Sequence, residues 1–202
     1  MRRTCEGIGL QGVESGADRR IKNNKSLNIL YLYSNMNIGD KVPEILGRNQ
    51  EGQELRLSDF KGKKIVLYFY PKDNTSGCTA EACSLRDNYK ELREKGYEVV
   101  GVSVDSEQSH QKFIEKHNLP FQLIADTDHQ LVETFGVWAE KSMYGRKYFG
   151  TLRTTFIIDE EGKIEKIFGP KQIKTKMHGE QLLSDWLAVA YRKRAILTQK
   201  RH

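Results

Sequence analysis

Apolar strands that alternate with amphipathic helices predict an α/β fold in which a central sheet is covered by helices on both faces. Two stretches carry that expectation: the unbroken apolar run Ile65 to Tyr70, and the strand–helix alternation that follows from Tyr97 to Phe168. Length sets the domain count, because 202 residues suffice for one domain with a sizeable core and fall short of two.

Residues 1–35 are rich in Gly, Asn, Ser and Arg, show no apolar periodicity, and are expected to be disordered. Order is placed from Met36. Ile38, Val42, Ile45 and Leu46 precede a Gly-containing stretch and Leu55, which predicts an additional hairpin before the first long strand. After strand Ile65 to Tyr70 come a helix from Thr79 to Lys95 closed by Gly96 and a strand Tyr97 to Val104. A helix from Glu107 to about His117 is capped by Ser106, and a strand Phe121 to Ala125 leads to a short helix Gln130 to Phe135 ended by Gly136. The Tyr-, Lys- and Gly-rich segment that follows is read as a loop. Strands Arg153 to Ile158 and Ile164 to Phe168 flank a turn at Glu160 to Gly162, and a helix from about Gly179 to Tyr191 closes a domain placed at 36–192, with 193–202 as a basic tail.

Charge is unevenly distributed. Residues 1–35 carry six Lys and Arg against three acids, 163–202 carry ten against three, and the remainder 17 against 21. The expected folded core is therefore mildly acidic, which argues against a uniformly basic nucleic-acid-binding surface despite a net charge of +6. No stretch approaches the roughly 18 uninterrupted apolar residues of a membrane span. Three cysteines, Cys5, Cys78 and Cys83, do not make a secreted disulfide framework, and the apolar run Leu27 to Tyr33 is too short and interrupted for a signal peptide. A reducing, cytoplasmic setting is expected, where a close cysteine pair is more often redox-active or metal-binding than structural.

The chemistry is placed at the junction of the first long strand with its helix, Tyr70 to Cys83, since open α/β sheets build sites at the carboxyl ends of their strands. Cys78 falls in the first helical turn, where unpaired N–H groups and the helix dipole favour a thiolate. At this level a reactive thiolate and an inert core cysteine stand side by side. Helical phase adds information: Cys78 shares a face with Ala82, Leu85, Tyr89 and Leu92, whereas Cys83 sits about 140° away on the side of Asp87, Lys90 and Glu94. Zinc is not expected, for no second cysteine pair or closely spaced His pair follows, and His110 and His117 are read as surface side chains.

Three spaced motifs, Pro71-x-x-x-Thr75-x-x-Cys78, Cys78-x4-Cys83 and Arg153-x-x-Phe156-x-Ile158-Asp159, resemble the peroxiredoxins, nearest the bacterioferritin-comigratory or Q-type subgroup, over Met36 to Phe168. The resemblance implies a thioredoxin-like fold and a cofactor-free, metal-free reduction of hydrogen peroxide and alkyl hydroperoxides with electrons from thioredoxin, by a monomer or weak homodimer. It assigns Cys78 as peroxidatic nucleophile and Cys83 as resolving thiol. Thr75 and Arg153 would orient the peroxide and stabilise the thiolate, Pro71 would shield the pocket, and Glu81 falls where relatives often carry an acid that buttresses the arginine. Ser76 departs from the proline common there, and Cys5 lies outside the pattern.

The assigned roles make chemical sense. A thiolate that attacks one peroxide oxygen expels the other as an anion, so the site must hold charge at both ends of a breaking bond. A permanent guanidinium and a hydroxyl that both accepts and donates suit that task. On spacing alone Thr75 reads first as a turn or capping residue, and Arg153 reads equally as a surface strand arginine; the family pattern decides both. Given the implied pairing, five residues of ideal helix separate the two Cα atoms by roughly 8 to 9 Å, beyond the roughly 7 Å limit of a disulfide. The segment around Cys78 to Cys83 is therefore expected to unwind on oxidation, with faster amide exchange over residues 77–86. Two rival readings remain at this stage: a thiol–disulfide oxidoreductase, which usually carries Cys-x-x-Cys, and a nucleic-acid-binding module using Tyr191-Arg192-Lys193-Arg194.

Overall fold

The structure, a computed structural model, describes residues 36–143 and 145–199, and their side chains except at 143 and 189–199. Segment 1–35 with Cys5, residues 200–202 and the side chains of the basic run at 191–194 lie outside the described residues.

A short antiparallel hairpin, β1 (Ile45–Arg48) with β2 (Glu54–Arg56), precedes a 3-10 turn and the first long strand β3 (Lys64–Phe69). Helix α1 (Ser76–Asp87) and the single-turn-and-a-half α2 (Tyr89–Glu94) lead to β4 (Tyr97–Ser103), α3 (Glu107–His117), β5 (Gln122–Ala125) and α4 (Gln130–Thr134). A second hairpin, β6 (Trp138–Met143) with β7 (Arg146–Thr151), is followed by β8 (Thr154–Ile158), β9 (Ile164–Phe168) and α5 (His178–Gln199). The five-stranded sheet has the order β5-β4-β3-β8-β9. Strands β3, β4 and β5 run parallel, and β8 and β9 return antiparallel. This is the mixed sheet of a thioredoxin-like fold.

Strand alternation sorts the core into two layers. Ile65, Leu67 and Phe69 face one side with Phe156, Leu131, Phe135 and the hairpin residue Leu46. Val66, Tyr68 and Tyr70 face the other, against Cys78, Ala82 and Leu85 of α1, Phe113 of α3 and Leu182 of α5. Because both faces are covered, the uninterrupted apolar strand is a correct reading of a strand buried on two sides. The expected hairpin before it is also present, pressed against β5: a Cβ at Gly47 would lie 2.8 Å from the Ile124 side chain. Asn49 holds that approach by donating to Gln122 Oε1 at 3.1 Å while its own oxygen accepts from Glu51 and Gln53 N–H.

Four local expectations are corrected. The segment read as a loop is the hairpin β6–β7; it pairs outside the main sheet with both faces partly open, so it lacks the apolar alternation that betrays a buried strand. The helix expected through Lys95 breaks at Asn88, whose side-chain amide donates to Ser84 O at 2.9 Å and competes with the backbone ladder. His110 is fully buried rather than on the surface, held by Asp73 and the Ile124 carbonyl. The closing helix also begins one residue earlier than Gly179 and runs eight past Tyr191. No helix among the described residues is long and apolar enough to cross a membrane.

Candidate active site

The loop Pro71 to Thr75 connects β3 to α1, and Asn74 makes its turn in the left-handed region at φ 56°. Thr75 is the N-cap by backbone: its carbonyl accepts from Thr79 N–H at 2.8 Å. Its hydroxyl does not cap; it donates to the Lys72 carbonyl at 3.0 Å and is exposed. Pro71 is half-buried at the start of the loop.

Cys78 lies in the first turn of α1 and is only 1% exposed. Its sulfur accepts a hydrogen bond from Arg153 Nη2 at 3.2 Å. Arg153 comes from the residue before β8, the strand hydrogen-bonded to β3, so sheet pairing brings the guanidinium over the helix start across 75 residues of sequence. The other guanidinium nitrogen donates to Glu81 Oε2. Glu81 is fully buried, one helical turn after Cys78, and its Oε1 has no hydrogen-bond partner. Burial pushes its carboxyl up to about 7, against the pull of Arg153. Burial works to lower Arg153, but Glu81 and Cys78 outweigh it and hold the guanidinium above its ordinary value.

Cys83 stands on the same intact helix, half-buried, and both cysteines are free thiols. The geometry thus brings Cys78, Arg153 and Glu81 into direct contact, keeps Cys83 around the helix from Cys78, and turns the Thr75 hydroxyl toward Lys72. No cluster of three or more His, Cys, Asp or Glu side chains able to hold a metal occurs among the described residues. A cleft of about 580 Å³ between the first hairpin and the start of α3 is lined by neither cysteine nor Arg153. A peroxide group needs no such volume.

Sequence reasoning passed over two features. Asp73, inside the loop motif, is buried with Tyr70, Ser109 and His110 all bonded to its carboxylate. Only the apolar context of a loop acid after Tyr70 hints at this. Lys141, on the hairpin taken for a loop, shares an electrostatic neighbourhood with Cys78 and Arg153.

The AhpC/TSA family profile matches residues 38–167. Peroxiredoxin Bcp of Bacillus subtilis is 47% identical over 146 residues, 72% of this chain and 92% of its own length. Peroxiredoxin Bcp of Escherichia coli K12 is 45% identical over 149 residues, 74% of this chain and 94% of its own. The crystal structure of a cysteine-to-serine variant of PrxQ from Xylella fastidiosa superposes with a TM-score of 0.70 at 35% identity, covering 78% of this chain and 99% of that one. A buried cysteine at a helix start under an arginine from the neighbouring strand, within a sheet of this order, agrees with those likenesses, and the chain belongs to the AhpC/TSA family as a peroxiredoxin of the Bcp/Q type, a thiol peroxidase.

Proposed function

We propose that the peroxidase reaction runs through Cys78 and Cys83 and is renewed by thioredoxin. The observation that carries this reading is the hydrogen bond from Arg153 to the Cys78 sulfur at the helix start. The Cys78 thiolate attacks the terminal oxygen of a hydroperoxide, the O–O bond breaks, and the alkoxide or hydroxide leaves and takes a proton to become alcohol or water. Cys78 is left as a sulfenic acid. Arg153 stabilises the thiolate and the developing negative charge, and Glu81 holds Arg153 in place. Thr75 serves as the hydroxyl that orients the peroxide once it rotates away from Lys72, and Pro71 shields the sulfur from bulk water. The Cys83 thiol then condenses with the sulfenic acid, releasing water and forming a disulfide, which a dithiol of thioredoxin reduces by exchange.

NADPH consumption with thioredoxin, thioredoxin reductase and hydrogen peroxide tests the scheme. Cys78→Ser is expected to reduce turnover to background, because a serine hydroxyl stays protonated and is a far weaker nucleophile. Cys83→Ser is expected to retain the first attack, so that a sulfenic-acid probe labels Cys78 after one equivalent of peroxide, while recycling stops. Turnover that survives in Cys78→Ser overturns the nucleophile; full recycling in Cys83→Ser overturns the resolving thiol.

A further inference from the structure

The β6–β7 hairpin brings a second cation to the backbone that leads into Arg153. Lys141 stands opposite Tyr148 in the register of the hairpin. Gly150 lies on the same face, and the lysine packs along it: a Cβ there would make ordinary contact with Lys141 Cδ at 3.6 Å and Nζ at 3.8 Å. Its ammonium donates to the main-chain oxygen of Thr151, two residues before Arg153. Burial lowers the ammonium's hold on its proton, the Arg153 guanidinium lowers it further, and Cys78 works in the opposite direction. Lysine, arginine and sulfur therefore feel one another.

A charge count gives this placement meaning. Arg153 is shared between two acids, the Cys78 sulfur and the buried Glu81 carboxyl. Burial lets Glu81 keep its proton up to about pH 7; above that value one guanidinium faces both the Cys78 sulfur and a buried carboxylate in a site largely closed to water, where uncompensated charge is costly. The other titratable groups around the site do not correct the deficit. Burial holds the Tyr68 phenol neutral, and His178, near Arg153, is neutral through burial with its proton affinity lowered to about 4. Among the described residues, the further positive group that Cys78 and Arg153 both feel is Lys141.

We propose that Lys141 is the second cation of the peroxidatic site: a positioning residue that balances the Cys78 thiolate and Glu81 against Arg153 and tethers the backbone leading into Arg153. This rests on the reading of Cys78 as nucleophile. The decisive substitution is Lys141→Gln, which keeps a side-chain donor for the Thr151 oxygen and removes the charge; Lys141→Met removes both, and Lys141→Arg restores the charge.

The full chain carrying Cys5→Ser and Cys83→Ser leaves one thiol to titrate by its ultraviolet thiolate absorbance, alongside the rate of its oxidation by one equivalent of hydrogen peroxide. Lys141→Gln and Lys141→Met are expected to move the absorbance curve to higher pH and to slow oxidation on its acid limb by about three- to tenfold, the effect of losing one nearby cation. Lys141→Arg is expected to recover both. A Lys141→Gln curve that overlays its parent overturns the proposal, as does loss in Lys141→Met that Lys141→Gln fully rescues, because either outcome makes the role purely structural. Adding Cys78→Ser to the same background must abolish the absorbance step. Peroxide turnover surviving Cys78→Ser in the otherwise native chain would instead overturn the nucleophile, and this proposal with it.

Discussion

At His110 both ring nitrogens face oxygen acceptors: Nδ1 lies 2.9 Å from Asp73 Oδ2 and Nε2 lies 3.1 Å from the Ile124 carbonyl. Asp73 also accepts from the Tyr70 and Ser109 hydroxyls at 2.7 Å each. The carboxylate is thus surrounded by donors in the core, and the Asp73 and His110 side chains are 2% and 0% exposed. Burial alone would raise Asp73, but its bonds to His110, Ser109 and Tyr70 outweigh that and hold it below 3.8. The pair pins the loop that carries Thr75 to α3 and β5. Replacing His110 takes one of three side-chain partners from the Asp73 carboxylate, so His110→Gln is expected to cost about 1–3 kcal/mol in urea unfolding at neutral pH. A depressed acid contributes stability that is present above its unfolded value and lost as pH falls through the lower folded one. Acid unfolding below about pH 4 should accordingly be less steep in Asp73→Asn, with equal steepness telling against a lowered Asp73.

Helix α1 is anchored unequally along its length. Its first turns hold Cys78 and Cys83, while Ser84 accepts from Gly179 N–H and donates to Glu180 Oε2, both at 3.0 Å, at the start of α5. The approach is tight enough that a Cβ on Gly179 would lie 2.6 Å from the Ser84 carbonyl oxygen. That carbonyl accepts from Asn88 N–H at 3.3 Å, which makes the junction of α1 with α2 the natural limit to unwinding. A Cys78–Cys83 disulfide cannot close on intact helix. Amides 79–87, whose acceptors lie in the segment 75–83, are therefore expected to exchange at least about tenfold faster in the oxidised protein. Asn88, Leu92 and strand β3 should change little. Equal protection of 79–87 in both redox forms, with the disulfide verified by mass spectrometry, would exclude unwinding; loss of protection through Leu92 would show that α5 does not limit it.

Across the whole molecule, two buried groups pull the stability curve in opposite directions. Glu81 is raised from 4.5 to about 7, so between those values the folded state binds the extra proton and stability falls as pH rises. His178 is lowered from 6.5 to about 4, the unfolded state binds the extra proton, and stability rises with pH over that window. Burial is the first cause in both cases. From about pH 4.5 to 6.5 the slopes oppose one another, and the native protein should show little pH dependence of unfolding free energy there. Glu81→Gln leaves His178 unopposed, and its stability should climb with pH across the same interval. A flat curve in Glu81→Gln, with the native slope also flat, would mean that neither buried group carries the expected shift.

The α/β class, the strand Ile65 to Tyr70 and the helix-start cysteine were legible because each depends on neighbours in sequence: a strand buried on both faces stays apolar, and helical phase sets Cys78 apart from Cys83. Arg153 could be picked out only by family pattern, since nothing local marks an arginine before β8 as facing a sulfur 75 residues away. Tertiary structure decided the rest. Pairing of β3 with β8 carried Arg153 to Cys78, packing of α3 on the sheet buried His110 against Asp73, and a hairpin with no apolar stripe of its own brought the Lys141 ammonium to the Thr151 carbonyl, two residues before Arg153. Such contacts follow from which strands lie side by side, and local sequence periodicity encodes burial of a face but not the identity of the residue across from it.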